Sequence, residues 1–324
     1  MNSGEMTILE AAQFSAPPTL ADNGNHPILD DAWWQESAVF MWGDVERQFG
    51  GEIRFGIQPN QGVANLYTWT MLAGEMIDRR FLTDLPLPTS NILDCSISGA
   101  SVRTLEPLMR YELALDQDDL SLRMTWRNFH HPVSMSFNVG GATLANGHYD
   151  AMGEMKGVGR YKGHEFEIDA VGFADHSWGV RRKHLPASRC LFAVFDENFY
   201  ITAIPISTGP SRAMVGYVYK DGLVGRLSSH CEMGYRFRDD WITPAGCDTH
   251  LFDEHDRHFM VKGWTIGPSS TQTLGHGKLV THAVAGFECD GRKGSGILES
   301  SQFHGLPPSI TSLGFKPDSW WINP

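Results

Sequence analysis

No stretch of this sequence approaches the ~20 consecutive apolar residues that a membrane-spanning helix requires, which argues against membrane insertion. Positive charge is also in short supply: 26 Lys and Arg face 38 Asp and Glu, for a formal net charge of −12. A chain of that sign does not seek phosphate backbones or anionic lipid, so nucleic acid is not an expected partner. Cysteine is sparse and scattered. Cys95, Cys190, Cys231, Cys247 and Cys289 contain no C-x-x-C pair, which argues against a disulfide framework and against a zinc cluster. The first eighteen residues carry no apolar run flanked by positive charge, so no secretory signal is expected and a reduced, cytoplasmic setting follows. Long segments with apolar residues at i, i+3, i+4 and i+7 are missing, and a doubly wound α/β fold is excluded with them.

What the sequence does contain is alternation. Ile53, Phe55 and Ile57 alternate with Glu52, Arg54 and Gly56. Leu120, Leu122, Met124 and Trp126 alternate with Ser121, Arg123, Thr125 and Arg127, and Phe166, Ile168 and Ala170 with Glu165, Glu167 and Asp169. Period two marks half-buried strands, and a one-residue slip would turn each apolar set into water. Turn signals recur at Asn60-Gln61-Gly62, Lys162-Gly163, Asp221-Gly222 and Asp290-Gly291; the last two are strong hairpin signals. The expected fold class is all-β: two lipocalin-like antiparallel barrels or sandwiches packed together, with a cavity at their interface. The length, 324 residues, suits two domains. The expected division is an N-terminal arm over 1–28, with a short helical turn near Ile8–Phe14, then a first domain over 29–182 and a second over 183–324. The link reads as Arg181–Ser188, and a fresh apolar strand opens at Leu191–Phe195. Ten Trp, eighteen Phe and eight Tyr suit a large β core, with some of them available to line a ligand cavity.

The densest polar cluster is Asp175-His176-Ser177-Trp178-Gly179-Val180-Arg181, after Gly172. A Gly-x-x-Asp-His-Ser-Trp-Gly-x-Arg segment closing an all-β domain resembles the lipocalin-like carotenoid 1,2-hydratase superfamily, which includes bacterial relatives and fungal pericyclases. Phe55-Gly-Ile-x-Pro59-Asn60-x-Gly62, Tyr67, Trp69, Thr125-Trp126-Arg127, Gly147-His148-Tyr149 and Gly153 follow in the order the resemblance implies, across roughly residues 33–305. The resemblance implies hydration of alkenes or cyclisation of polyenes, without a metal.

The chemistry of the cluster points the same way. A carboxyl in an apolar pocket keeps its proton near neutral pH and can protonate an alkene, which makes Asp175 the candidate acid. His176 is the candidate relay or water activator. Trp178 offers a π face to a developing cation, with Tyr67, Trp69 and Tyr149 extending that wall. Arg181 and Glu299 complete the candidate substrate-binding set. Glu299 enters through a faint repeat, in which Gly172-x-x-Asp175 is echoed by Gly296-x-x-Glu299. The architectural alternative pairs Asp175 with Arg181 at the domain junction, uses Trp178 as a barrel plug and leaves Glu299 in solvent.

Other constellations are weaker. His250, His255 and His258 surround a hairpin turn that places His255 in solvent, and the adjacent His130 and His131 point to opposite faces of a strand. Gly153, Gly157 and Gly159 lead into a strand and not a helix, so they make no phosphate cradle. Ser177 is not in a Gly-x-Ser-x-Gly elbow. The function expected is a cofactor-independent lyase or isomerase (hydratase, dehydratase or cyclase) acting by acid catalysis on a terpenoid, steroid or aromatic hydrophobe. The alternative is a non-catalytic carrier of such a ligand. A homo-oligomer is left open.

Overall fold

The computed structural model describes residues 13–139, 142–143, 145–181, 187–208, 211–274 and 278–303. In chain order the strands are β1 (Trp34–Asp44), β2 (Phe49–Gln58), β3 (Val63–Leu72), β4 (Glu75–Pro86), β5 (Ser96–Ile97), β6 (Ala100–Glu106), β7 (Arg110–Gln117) and β8 (Leu120–Asn128). The short β9 (Val133–Ser134), β10 (Asn138–Val139) and β11 (Ala142–Thr143) precede two long strands, β12 (Gly147–Tyr161) and β13 (His164–Val180). After residue 181 come β14 (Ala187–Asp196), β15 (Phe199–Thr208), β16 (Ser211–Lys220), β17 (Leu223–Arg226) and β18 (Glu232–Phe237). The last five are β19 (Pro244–Phe252), β20 (His258–Thr265), β21 (Ser270–Leu274), β22 (Lys278–Cys289) and β23 (Arg292–Phe303).

Among the described residues these strands form two large antiparallel sheets and one small one. The first runs β4-β3-β2-β1-β13-β12-β8-β7-β6-β5, with β9 beside β12. The second runs β17-β16-β15-β14-β23-β22-β20-β19-β18, with β21 beside β22. β10 pairs only with β11. The two large orders correspond except for β5, which has no counterpart in the second: in each, the final strand returns to lie beside the first. No helix among the described residues is long and apolar enough to cross a membrane.

The alternation read from the sequence sorts side chains into three cores. Ile53, Phe55 and Ile57 point into the first curled sheet with Ala38, Phe40, Trp42, Leu122, Met124, Trp126 and Ile168. Leu191, Ala193, Met214, Tyr235, Phe287 and Leu298 fill the second. The third core lies between the sheets and takes the opposite parity: Val39, Met41, Phe173, Phe192, Val284 and Ile297. This is why Ala38-Val-Phe-Met-Trp42 is apolar without a break; β1 is buried on both faces. All five cysteines are buried and free.

The turn residues behave as their chemistry demands. Lys162-Gly163, Asp221-Gly222 and Asp290-Gly291 all have positive φ at both positions, the geometry of tight two-residue hairpins, and Gly62 caps the Pro59–Gln61 turn at φ +71°. His255 is exposed at its turn, and His250 meets His258 across the strands at 3.2 Å. The helical turn expected near Ile8–Phe14 falls mostly outside the described residues. Residues 19–26 are more than an arm. Leu20–Asn23 form a 3-10 turn, and the buried Asn23 accepts from the Leu108 amide (2.8 Å) and the Tyr111 hydroxyl (2.6 Å), tying the segment to the first sheet.

Candidate functional site

A cavity of about 270 Å³ lies between the two sheets. Its first wall is a grid set by strand register. One cross-strand row reads Tyr67, Arg54, Val39, Asp175, Asp150 from β3 to β12. The row on one side is Asn65, Gly56, Ser37, Ser177, His148; on the other it is Trp69, Glu52, Met41, Phe173, Met152. Residues on one row and of one parity share a face of the sheet. Sequence separations from 9 residues (Gly56 and Asn65) to 140 (Ser37 and Ser177) thus collapse into neighbours.

The second wall comes from β14, β23, β22 and β21. Cys190, Glu299, His282 and Ser270 form one row, and Ser188, Ser301, Val280 and Gln272 the next. His282 sits between two carboxylates, Nδ1 at 2.8 Å from Glu52 and Nε2 at 3.0 Å from Glu299. Glu52 also accepts from Trp69 Nε1 (2.8 Å) and Gln272 Nε2 (3.3 Å), so it bridges the sheets. Burial alone would strip the proton from His282, but the two carboxylates outweigh it and push the ring up to about 10. Apolar side chains, among them Val39, Phe173, Phe192, Ile204, Ile206 and Val280, fill the space between these polar ends.

Asp175 stands on the first wall. Its Oδ1 is buried and has no hydrogen-bond partner among the described residues. Burial raises its carboxyl to about 7; the nearby His148, Arg54 and Arg181 pull it down, while Asp150 directly across the ladder pushes it up. Asp150 is fully buried, with Oδ1 hydrogen-bonded to His148 Nε2 and Oδ2 unpartnered among the described residues. His148 loses basicity by burial and regains more from Asp150, so its protonated form is favoured. Arg181 donates from Nη2 to Ser177 Oγ (2.8 Å), and burial lowers it to about 10.

The cluster read from the sequence is divided by the strand that carries it. Asp175 and Ser177 face the cavity. His176 and Trp178 have the opposite parity and point into the first sheet. This corrects the expectation that His176 relays a proton to Asp175: the two rings of chemistry lie on opposite faces. His176 Nε2 instead meets Glu36 (3.0 Å), and its Nδ1 meets Tyr149 Oη (3.2 Å) and the Asp22 carbonyl (3.1 Å). Trp178 stacks on His26, with ring centroids 3.4 Å apart. Trp178 and Tyr149 therefore cannot line the cavity. Trp69 is on the same face, in the core between the sheets, but does not line the cavity; its Nε1 donates to Glu52, which does. Tyr67, Arg181 and Glu299 do line it with Asp175, so Glu299 is not the solvated residue of the architectural alternative. Arg54, Asp150, Glu52 and His282 were not singled out from the sequence, and His148 entered only as part of the Gly147-His148-Tyr149 motif, with no role.

Two groups of side chains bring ligand-type atoms within 4.8 Å of one another, the spacing a cation requires: His26 with Glu36 and His176, and His148 with Asp150 and Asp175. In the second, His148 and Asp150 already hydrogen-bond each other, and the guanidiniums of Arg54 and Arg181 share the face; both oppose a cation there. In the first, burial raises Glu36, but hydrogen bonds from His176 and His26 outweigh it and hold the carboxyl below its usual value. Those bonds latch the Asp22–His26 segment onto the sheet.

A family profile described as a domain of unknown function, DUF7064, matches residues 19–304. No curated protein sequence matches the chain. Solved structures of three proteins are among those that share its fold. A putative AttH from Nitrosomonas europaea superposes with a TM-score of 0.65 at 13% identity, over 87% of this chain and 95% of that one. Kievitone hydratase from Nectria haematococca gives 0.60 at 10% identity, over 85% and 90%. CghA, also solved with Sch210972, gives 0.59 at 10% identity, over 87% and 94%. At such identities the likeness is one of fold.

Proposed function

We propose that this chain, which belongs to the DUF7064 family, is a cofactor-independent lyase or isomerase (a hydratase, dehydratase or cyclase) that protonates a hydrophobic small molecule from Asp175. One observation carries the reading: a carboxyl that keeps its proton to about pH 7, with a bare Oδ1, on the wall of a cavity whose middle is apolar. Burying a carboxyl without a partner is costly, and a carrier has no use for it. The apolar walls would serve either role; the orphaned acid serves only chemistry. That one neighbour on this fold bears the name hydratase adds support from analogy.

In this mechanism Asp175 gives its proton to an alkene carbon, and the other alkene carbon becomes cationic. The stacked Phe173 and Phe192 rings, 3.9 Å apart at their centroids, present apolar and π surface to that charge, the role first assigned to Trp178. Water adds to the cation and loses a proton to Glu299 across the cavity, which completes a hydration; loss of a carbon-bound proton to the same carboxylate completes an isomerisation. His282 holds Glu299 in place. A cavity of about 270 Å³ is at the small end for ligand sites, so a compact terpenoid or aromatic substrate fits better than a full-length carotenoid.

The test is a panel of compact terpenoid, steroid and prenylated aromatic alkenes incubated with the protein in ¹⁸O-water and read by mass spectrometry. Turnover of at least one member, reduced ~100-fold or more in Asp175→Asn, is expected. Recovery of every compound unchanged, or near-normal turnover in the variant, would overturn the reading in favour of a carrier.

A further inference from the structure

The first wall holds a second built feature beside the acid. Arg54 lies one strand beyond Val39 from Asp175, on the same row, so their Cα atoms are ~10 Å apart. Its guanidinium is clamped. It lies over the Tyr67 ring at 4.7 Å, and Nη1 donates to Asn65 Oδ1 at 2.6 Å. Gly56 makes the room: a Cβ there would come within 2.3 Å of Asn65 Oδ1 and 2.9 Å of Arg54 Nη1. Tyr67 is in turn stacked on Phe81, with centroids 4.2 Å apart. The clamp uses a π face and a neutral amide. No carboxylate among the described residues lies within ion-pairing distance of Arg54, although the group is half-buried and lines the cavity.

The surrounding charges leave that end of the cavity positive. Asp150 is compensated by His148, to which it is hydrogen-bonded. Arg181 adds a second guanidinium to the same wall. Glu52 lies two residues before Arg54 on the same face of β2, but it is turned to His282, which also meets Glu299 and is held protonated between the two carboxylates. Asp175 is the remaining acid near Arg54, and as the proposed proton donor it is neutral when it acts. The cavity therefore offers a preorganised, planar, charged donor beside an apolar body. A carboxylate matches the guanidinium fork.

We infer that the substrate is an amphipathic organic acid, its carboxylate held by Arg54 and its apolar body laid along Val39, Phe173 and Phe192 toward Glu299. The inference rests on the acid-catalysis reading for the charge of Asp175, and it supplies the substrate class that reading lacks. A bound carboxylate also keeps Asp175 protonated, since a nearby negative charge disfavours its ionisation.

The test uses two probes of one shape, 2-naphthoate and 2-naphthamide, titrated calorimetrically into the full chain at about pH 6, where Asp175 is protonated and naphthoate is ionised. Wild type is expected to bind naphthoate ~10-fold or more tightly than naphthamide, the worth of one charge-assisted hydrogen-bonded pair. Arg54→Met is expected to lose that preference and keep its affinity for naphthamide. Asn65→Ala, which releases the clamp and keeps the charge, is expected to narrow the preference and serves if Arg54→Met does not fold. Equal affinities in wild type, binding of neither probe, or a preference that survives Arg54→Met overturns the inference. Asp175→Asn separates the two claims. It is expected to abolish turnover and retain the preference for naphthoate; loss of that preference overturns the Arg54 site, whereas retained turnover overturns only the acid.

Discussion

Asp175 and Glu299 occupy equivalent positions on the two sheets. Each lies on the strand that returns beside the first strand of its own sheet, β13 beside β1 and β23 beside β14. Each follows a glycine by three residues. At Gly172 a Cβ would fall 1.9 Å from the Met41 carbonyl oxygen, and at Gly296 it would fall 1.9 Å from that of Phe192. Both carboxylates line the one cavity. The molecule thus sets two related acids across a shared apolar space, one without a hydrogen-bond partner at Oδ1 and one held by His282.

The paired glycines give a symmetric prediction. Gly172→Ala and Gly296→Ala each drive a methyl into a backbone carbonyl, which cannot swing away as a side chain can. Each is expected to destabilise by about 3 kcal/mol, the upper range for overpacking, as read by chemical denaturation. A neutral result at either position would show that the close approach there is not structural.

His176 belongs to stability and not to chemistry. His176→Ala leaves the fully buried Glu36 short of a hydrogen-bond donor and is expected to cost about 1–3 kcal/mol in unfolding experiments. Turnover per folded molecule is expected to stay within about threefold of wild type, because the ring faces away from the cavity. A loss comparable to that of Asp175→Asn would restore the relay that the strand geometry denies.

Asp175 is expected to burden the fold. Its folded pKa is raised above the ordinary carboxyl value, from 3.8 to about 7, so the folded state binds the proton more tightly than the unfolded one. Stability is then greatest at low pH with respect to this group and is lost as pH rises toward 7. Above that point Asp175→Asn is expected to melt a few degrees higher than wild type, with the gap closing on acidification; a variant that melts lower at pH 8 contradicts this.

Metal dependence is a further check. His148, Asp150 and Asp175 are placed closely enough to tempt a divalent ion, yet the account uses Asp175 as a proton carrier. Exhaustive chelation is expected to leave turnover unchanged, and added zinc is expected to have little effect, because Arg54 and Arg181 share the face and oppose a cation there. Loss of activity on chelation, restored by a metal, would reassign the triad.

Much of the fold was legible because strand physics is local. The alternations at Ile53–Ile57 and Leu120–Trp126 mark one buried face, and Asp221-Gly222 and Asp290-Gly291 mark turns, whatever lies elsewhere in the chain. The site was legible only in part. Asp175 and Glu299 stand out in their segments, but the same alternation should have separated Asp175 from His176 and Trp178. Arg54 and His282 gave no local signal, and His148 stood in a motif without a role; Arg54 has the parity of a solvent-facing residue. What buries it is a second sheet more than 130 residues on. The unbroken apolar run Ala38–Trp42 was the clue that the outer face is covered, since a strand with one wet face alternates and this one does not.

The proton on Asp175 is the centre of the account, and it can be measured without knowing the substrate. Carboxyl ¹³C chemical shifts of the labelled protein, followed from pH 3 to 9 and assigned by difference against Asp175→Asn, report it directly. A midpoint near 7 is expected. A midpoint near the ordinary 3.8 would mean a carboxylate already ionised at neutral pH, and would contradict proton donation from this residue.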